Sequence, residues 1–256
     1  MFQVVVMEIS LIFCITVIPA IILFGIAKSG LGGSVSLISI PLMTIVMPLN
    51  HALAILLPIL IFSDFISAYR FRRQFDRETL NLMIPFAAMG VIIGSLTFTL
   101  FSEIFLKLLL GIMGILFAGH YFLYKKSITT PVKPNFFKGA ICSSIAGFTS
   151  FCAHSGGTPT SFYLLPLRLK KETYVGTRIM FFTSVNMIKL PLYIYLSMVN
   201  FGTIYQSIAL FPLSLLGIFI GYQLLKILEE TLFYNIIYAL IFCASIKLIL
   251  DFFQSF

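Results

Sequence analysis

Apolar residues run almost without relief along this chain, at about 9–27, 34–47, 51–69, 80–100, 104–124, 137–152, 160–167, 174–198, 204–225 and 231–252. A helix needs roughly 20 residues to cross the hydrocarbon of a bilayer. Six runs reach that length: 51–69, 80–100, 104–124, 174–198, 204–225 and 231–252. The other four form two pairs, each split by a glycine-rich break. The first break reads Lys28-Ser29-Gly30-Leu31-Gly32-Gly33-Ser34, and the second His154-Ser155-Gly156-Gly157-Thr158-Pro159. Glycines release the backbone from helical geometry, and the freed N–H and C=O groups then need partners. At membrane depth this is tolerated only inside protein or against a water-filled cavity. A polar break placed twice in a greasy chain therefore reads as a transport site.

Composition agrees with the pattern. The 256 residues are 59% hydrophobic and 10% charged, against about 25% charged in a soluble domain. The pattern predicts an all-α polytopic membrane protein embedded in a lipid bilayer. The net charge of +8 does not imply a nucleic-acid partner, because the basic residues gather in short connections. The N-terminal run lacks a basic n-region and a small-residue cleavage site, so it is expected to be retained. Cys14, Cys142, Cys152 and Cys243 are scattered without a CxxC and read as free thiols; no metal site or cofactor is called for.

Charge suggests the topology. Arg70, Arg72, Arg73 and Arg77 follow the third run, Lys125, Lys126, Lys133 and Lys138 fill the central loop, and Arg168, Lys170 and Lys171 follow the second break. The connections near 48–50 and 199–203 carry no charge. Placing loops 70–77, 125–138 and 168–171 on the cytoplasmic side makes 137–167 enter and leave on that side. The equivalent segment 9–47 then enters and leaves on the outer side. Two halves result, 1–124 and 137–256, joined by a basic linker at 125–136. Each is a glycine-broken or re-entrant segment plus three transmembrane helices, related as inverted repeats. An eight-span count with broken first and fifth helices is the alternative; it gives parallel repeats and puts one basic cluster on the wrong side.

The halves also match residue by residue. Gly32-Gly33 falls on Gly156-Gly157, and Pro41 on Pro166. Met89-Gly90-Val91-Ile92-Ile93-Gly94 falls on Leu216-Gly217-Ile218-Phe219-Ile220-Gly221, with Ser102-Glu103 on Glu229-Glu230. The glycine pairs have the small-xxx-small spacing of close helix contacts. Interrupted segments at corresponding places in two halves point to a transporter's binding site, and half-helix N-termini beside them favour an anion.

On these residues the chain resembles the TauE/SafE family of sulfite and organosulfonate exporters. The resemblance rests on Lys28-Ser29-Gly30-Leu31-Gly32-Gly33-Ser34 with Pro41-Leu42 after it, Ala52 onward into the run bearing Asp64, the second glycine segment, Pro166-Leu167 and Gly176-Thr177. It covers essentially the whole chain. Around His154 the family more often shows a fuller glycine run. The resemblance implies export of small sulfur-containing anions such as sulfite or sulfoacetate from the bacterial cytoplasm, coupled to protons.

Candidate site residues follow. Lys28, a cation near mid-membrane, is expected to face protein or water, binding the anion or pairing with Asp64; snorkelling to the interface is the plainer alternative. Asp64 is a counter-ion, a protonatable coupling group or part of a structural ion pair. Lys189 occupies the position equivalent to Asp64, so the two are placed to meet across the pseudo-symmetry axis. Arg178 lies three turns before Lys189 on a similar face and suits a bidentate oxyanion contact, or else flanks the span. His154 is either a substrate or proton group or a satisfied structural histidine. Ser29, Ser34, Ser155 and Thr158 offer hydroxyls beside Gly30, Gly32, Gly33, Gly156 and Gly157, and Asn186 offers its amide. His51, His120, Glu103, Glu229 and Glu230 receive no role.

A secondary transporter working by alternating access at the two breaks is the leading reading, with a passive anion channel on the same scaffold as the alternative. An enzyme is disfavoured, since the chain has no HExxH, no GxSxG and no carboxylate cluster.

Overall fold

In the computed structural model, residues 11–29, 45–97 and 132–253 are described, with isolated residues between these segments. All regular structure among them is helical: α1 (Leu11–Ser29), α2 (Leu49–Phe71), α3 (Arg77–Thr97), α4 (Phe136–Ala153), α5 (Gly157–Leu164), α6 (Lys171–Tyr195), α7 (Phe201–Ile227) and α8 (Glu230–Phe253), with a 3-10 turn over Leu165–Leu167. α2, α3, α4 and α7 are long and apolar enough to cross a membrane. The protein is an integral membrane protein.

Several starts and stops are written locally. Asn135 caps α4 by accepting from the Lys138 N–H at 2.9 Å. Asn200 and Thr203 form a reciprocal capping box at the head of α7, at 3.1 and 2.9 Å. α4 ends where His154 takes a left-handed φ of 48°, its N–H donating to the Ser150 carbonyl. Asp76 starts α3, its carboxylate accepting from Thr79 and from the Glu78 N–H.

Two features position the site. First, the chain doubles back after α4. Gly156 sits where any side chain would meet the Ala146 carbonyl oxygen at 2.6 Å, and Gly139 sits where one would meet the Tyr163 ring. The Val132 N–H then donates to the Pro166 carbonyl at 3.0 Å, so the two ends of the segment lie together. α4 is long enough to cross on its own, whereas the return leg through α5 is eight residues, about 12 Å at the helical rise. The segment 137–167 thus folds as a helical hairpin with a long leg and a short one. Ser39 Oγ donates to the Ala20 carbonyl at 2.9 Å, which brings the chain beyond the first break back beside α1.

Second, α2 and α6 lie antiparallel through the middle of the molecule. Pro58 and Ile61 line one groove with Leu190 and Ile194, Asp64 meets Asn186, and Phe71 and Gln74 pack on Gly176. Thr177 Oγ1 accepts from the Asp76 N–H at 2.9 Å, so Gly176-Thr177 docks the α2–α3 turn. Lys171 donates to the Leu228 carbonyl at the C-terminal end of α7, where the helix dipole favours a cation. The described parts of the three basic segments are therefore at one end of the molecule.

The glycine pairs mark two matching seams. Gly90 abuts the Ser144 carbonyl and Gly147 the Ala87 carbonyl, joining α3 to α4. Gly217 abuts the Ile22 carbonyl and Gly25 the Ser214 carbonyl, joining α1 to α7. A methyl group at any of the four would strike backbone. α1 thus packs on α7 and α4 on α3, and the outer faces of α3 and α7 expose Met89, Ile92, Ile93, Leu216 and Phe219 in the manner of lipid-facing surface.

Candidate functional site

The polar residues of the interior gather where α1, α2 and α6 meet the α4–α5 hairpin. Lys28, on the last turn of α1, reaches Asp64 on α2 at 2.6 Å. The other Asp64 oxygen accepts from Asn186 Nδ2 on α6, also at 2.6 Å. Asp64 is fully buried and the Lys28 side chain is 10% exposed. A buried carboxylate without such donors would be strongly unfavourable, so the arrangement satisfies both oxygens.

Lys189 is solved differently. Its ammonium meets three acceptors: the Ser150 carbonyl at 2.9 Å, Ser150 Oγ at 3.2 Å and His154 Nδ1 at 2.7 Å. An ammonium has three N–H groups, so this tripod uses all of them. His154 Nε2 lies 3.1 Å from the Leu53 carbonyl, which can only accept, and so carries the ring's proton. The imidazole is neutral and bridges the end of α4 to the start of α2. Tyr193 reinforces the same corner by donating to the Phe151 carbonyl at 2.6 Å. Lys189 therefore does not bond to Asp64, although the two hold equivalent positions in the halves.

Arg178 is the third buried cation. Its Nη1 donates to the Gly157 carbonyl at 3.2 Å, to Ser161 Oγ at 2.6 Å and to the Tyr174 hydroxyl at 3.1 Å. Its Nη2 is buried with no hydrogen-bond partner, and so is Thr158 Oγ1. Phe182 ties the cluster together. Lys28 Nζ lies 5.1 Å and Arg178 Cζ 5.5 Å from its ring centroid, and Gly156 leaves room for the ring edge.

The remaining candidates fall as follows. Ser29 Oγ donates to the Gly25 and Ile218 carbonyls, so its hydroxyl serves the α1–α7 seam. Ser155 Oγ turns back to the Ala153 carbonyl. Gly156 and Gly157 contribute close packing and a carbonyl for Arg178. Gly30, Gly32, Gly33 and Ser34 lie outside the described residues, as do His120 and Glu103. Sequence reasoning passed over Ser150, Ser161, Tyr174 and Phe182, all of which hold one of the cations.

Among the described residues, three buried cations face one buried carboxylate, and only Lys28 is within ion-pair distance of it. Such a site carries excess positive charge and is suited to holding an anion.

Comparison with known proteins gives one match: the family model for the sulfite exporter TauE/SafE fits residues 17–248. Neither the curated proteins nor the solved structures give a significant match.

Proposed function

The chain belongs to the TauE/SafE family, and on that premise we propose that it is a secondary transporter of small anions of the sulfite and organosulfonate class, sulfoacetate among them. It moves them outward across the bacterial cytoplasmic membrane, with loops 70–77, 125–138 and 168–171 on the cytoplasmic side. The observation that carries the reading is the buried charge balance, Lys28, Arg178 and Lys189 against Asp64 alone among the described residues. Uncompensated buried charge is costly, and an anion arriving from water relieves it.

Alternating access fits halves related as inverted repeats. The antiparallel α2 and α6, the matching glycine seams and the collection of basic segments at one end all support that relation. Asp64 is the coupling group: a proton on its carboxylate releases Lys28 to face the anion, so the proton crosses with the anion and the anion's own outward gradient drives export. Asn186 stays bonded to the neutral acid and keeps it in place.

Purified protein in proteoliposomes tests this with sulfite and sulfoacetate. Saturable flux that drives accumulation against an anion gradient when a pH difference is imposed is the expected result. Absence of flux overturns the reading, and conductance without accumulation replaces the carrier by a channel.

A further inference from the structure

Of the three cations, Arg178 alone has a side-chain nitrogen with no hydrogen-bond partner. Lys189 has given its three N–H groups to Ser150 and His154, and Lys28 is held by Asp64. Arg178 has spent Nη1 on three acceptors, while Nη2, with two N–H groups, has none. The three bonds to Nη1 fix the plane of the guanidinium, so the reserve donor is pre-oriented and little rotamer entropy remains to be lost when it binds.

The place where it is fixed matters. The Gly157 carbonyl and the Ser161 hydroxyl hold the guanidinium against the flank of the first turn of α5. That turn carries the positive end of the helix dipole, and the guanidinium adds to the positive charge near it. The opening turn adds donors of its own. The N–H groups of Gly157 and Thr158 have no intrahelical partner by geometry, and Pro159 has no N–H to leave stranded. Thr158 Oγ1 stands on the same turn, fully buried and without a partner. Buried hydroxyls without partners also occur at Ser67, Ser143, Tyr163 and Tyr222, but among the described residues only Thr158 shares its turn with a guanidinium.

We propose that the first turn of α5 and Arg178 form the subsite for the substrate's oxyanion head, held by Arg178 Nη2, Thr158 Oγ1 and the Gly157 and Thr158 N–H groups. This number of donors suits a head with multiple oxygens on one central atom, as in sulfite or a sulfonate. Lys28 supplies charge from across Phe182 once Asp64 is protonated, and Lys189 braces the hairpin without touching the anion. This assignment rests on the anion-transporter reading.

The test is calorimetric titration of the full chain in detergent with sulfite and with sulfoacetate, paired with thermal melting. Thr158→Val removes a buried hydroxyl that bonds to nothing in the protein, so the melting temperature is expected to stay level or rise while affinity falls about tenfold or more. Thr158→Ser restores the hydroxyl and is expected to bind within about threefold of the unaltered protein. Arg178→Lys, which loses the oriented Nη2, is expected to lose binding as Thr158→Val does. If Thr158→Val binds like the unaltered protein, or melts at much lower temperature, the subsite is overturned while anion transport stands. If the unaltered protein neither binds nor moves either anion, the transporter reading itself fails.

Discussion

Asp64 on α2 and Lys189 on α6 fall at matching places when the two halves of the sequence are laid over each other, yet one is an acid and the other a base, and their surroundings differ accordingly. Asp64 is neutralised by Lys28 and steadied by Asn186. Lys189 has only neutral acceptors, one carbonyl, one hydroxyl and one imidazole. The acid on α2 thus sits in a closed ion pair, and the base on α6 is a standing positive charge. In the proposed mechanism the pair is the element that protonation opens, and the tripod braces the hairpin beside the proposed anion subsite.

The contrast is easiest to break at the ion pair. Asp64→Ala leaves the Lys28 ammonium buried without its counter-charge, and removal of one partner of a buried pair costs about 3–5 kcal/mol. Thermal or denaturant unfolding in detergent should show it as the least stable variant of this set. Lys28→Met with Asp64→Leu removes both charges and is expected to recover most of that loss, with transport abolished. Failure of the double variant to recover would mean that the pair's value lies elsewhere than in mutual neutralisation.

A smaller loss is expected from Lys189→Met. It deprives three acceptors of their donor, about 1–3 kcal/mol, but it also removes an uncompensated charge. Should Lys189→Met destabilise more than Asp64→Ala, the two halves would not differ in the way described.

The seams provide a comparison in which the halves should behave alike. Gly90→Ala and Gly217→Ala each push a methyl group against a backbone carbonyl, and each is expected to cost about 1–3 kcal/mol. A silent change at one position and a large one at the other would break the correspondence. A loss of similar size is expected from Asn186→Ala, about 1.5–3 kcal/mol for a lost hydrogen bond to a charged group, with the proton dependence of flux altered as well.

Much of the scaffold was readable in the chain. Run lengths located α2, α3, α6, α7 and α8, whereas the 137–152 run, read as too short to cross, forms the 18-residue α4, and Gly90 and Gly217 marked close helix contacts. Lys28 reads in the sequence as an anion ligand or a partner of Asp64, and Asp64 as placed to meet Lys189; the structure joins Lys28 to Asp64. The rest depended on three-dimensional facts with weak local signals. Ser150 is one serine among several in α4, and only its place one turn before His154 hints at a shared task. Ser29 adjoins the glycine run, but it is also four residues after Gly25, and a serine there readily bonds back to that carbonyl. The reserve donor of Arg178 exists because Tyr174, Ser161 and Gly157 occupy its other nitrogen, and those residues come from two separate helices.

Counterflow in proteoliposomes tests the central claim most directly. Vesicles preloaded with unlabelled sulfite or sulfoacetate are diluted into a trace of the same labelled anion. The account predicts transient accumulation of label that saturates with anion concentration and disappears in Arg178→Lys. Label that merely equilibrates, or enters equally well through Arg178→Lys, would contradict it.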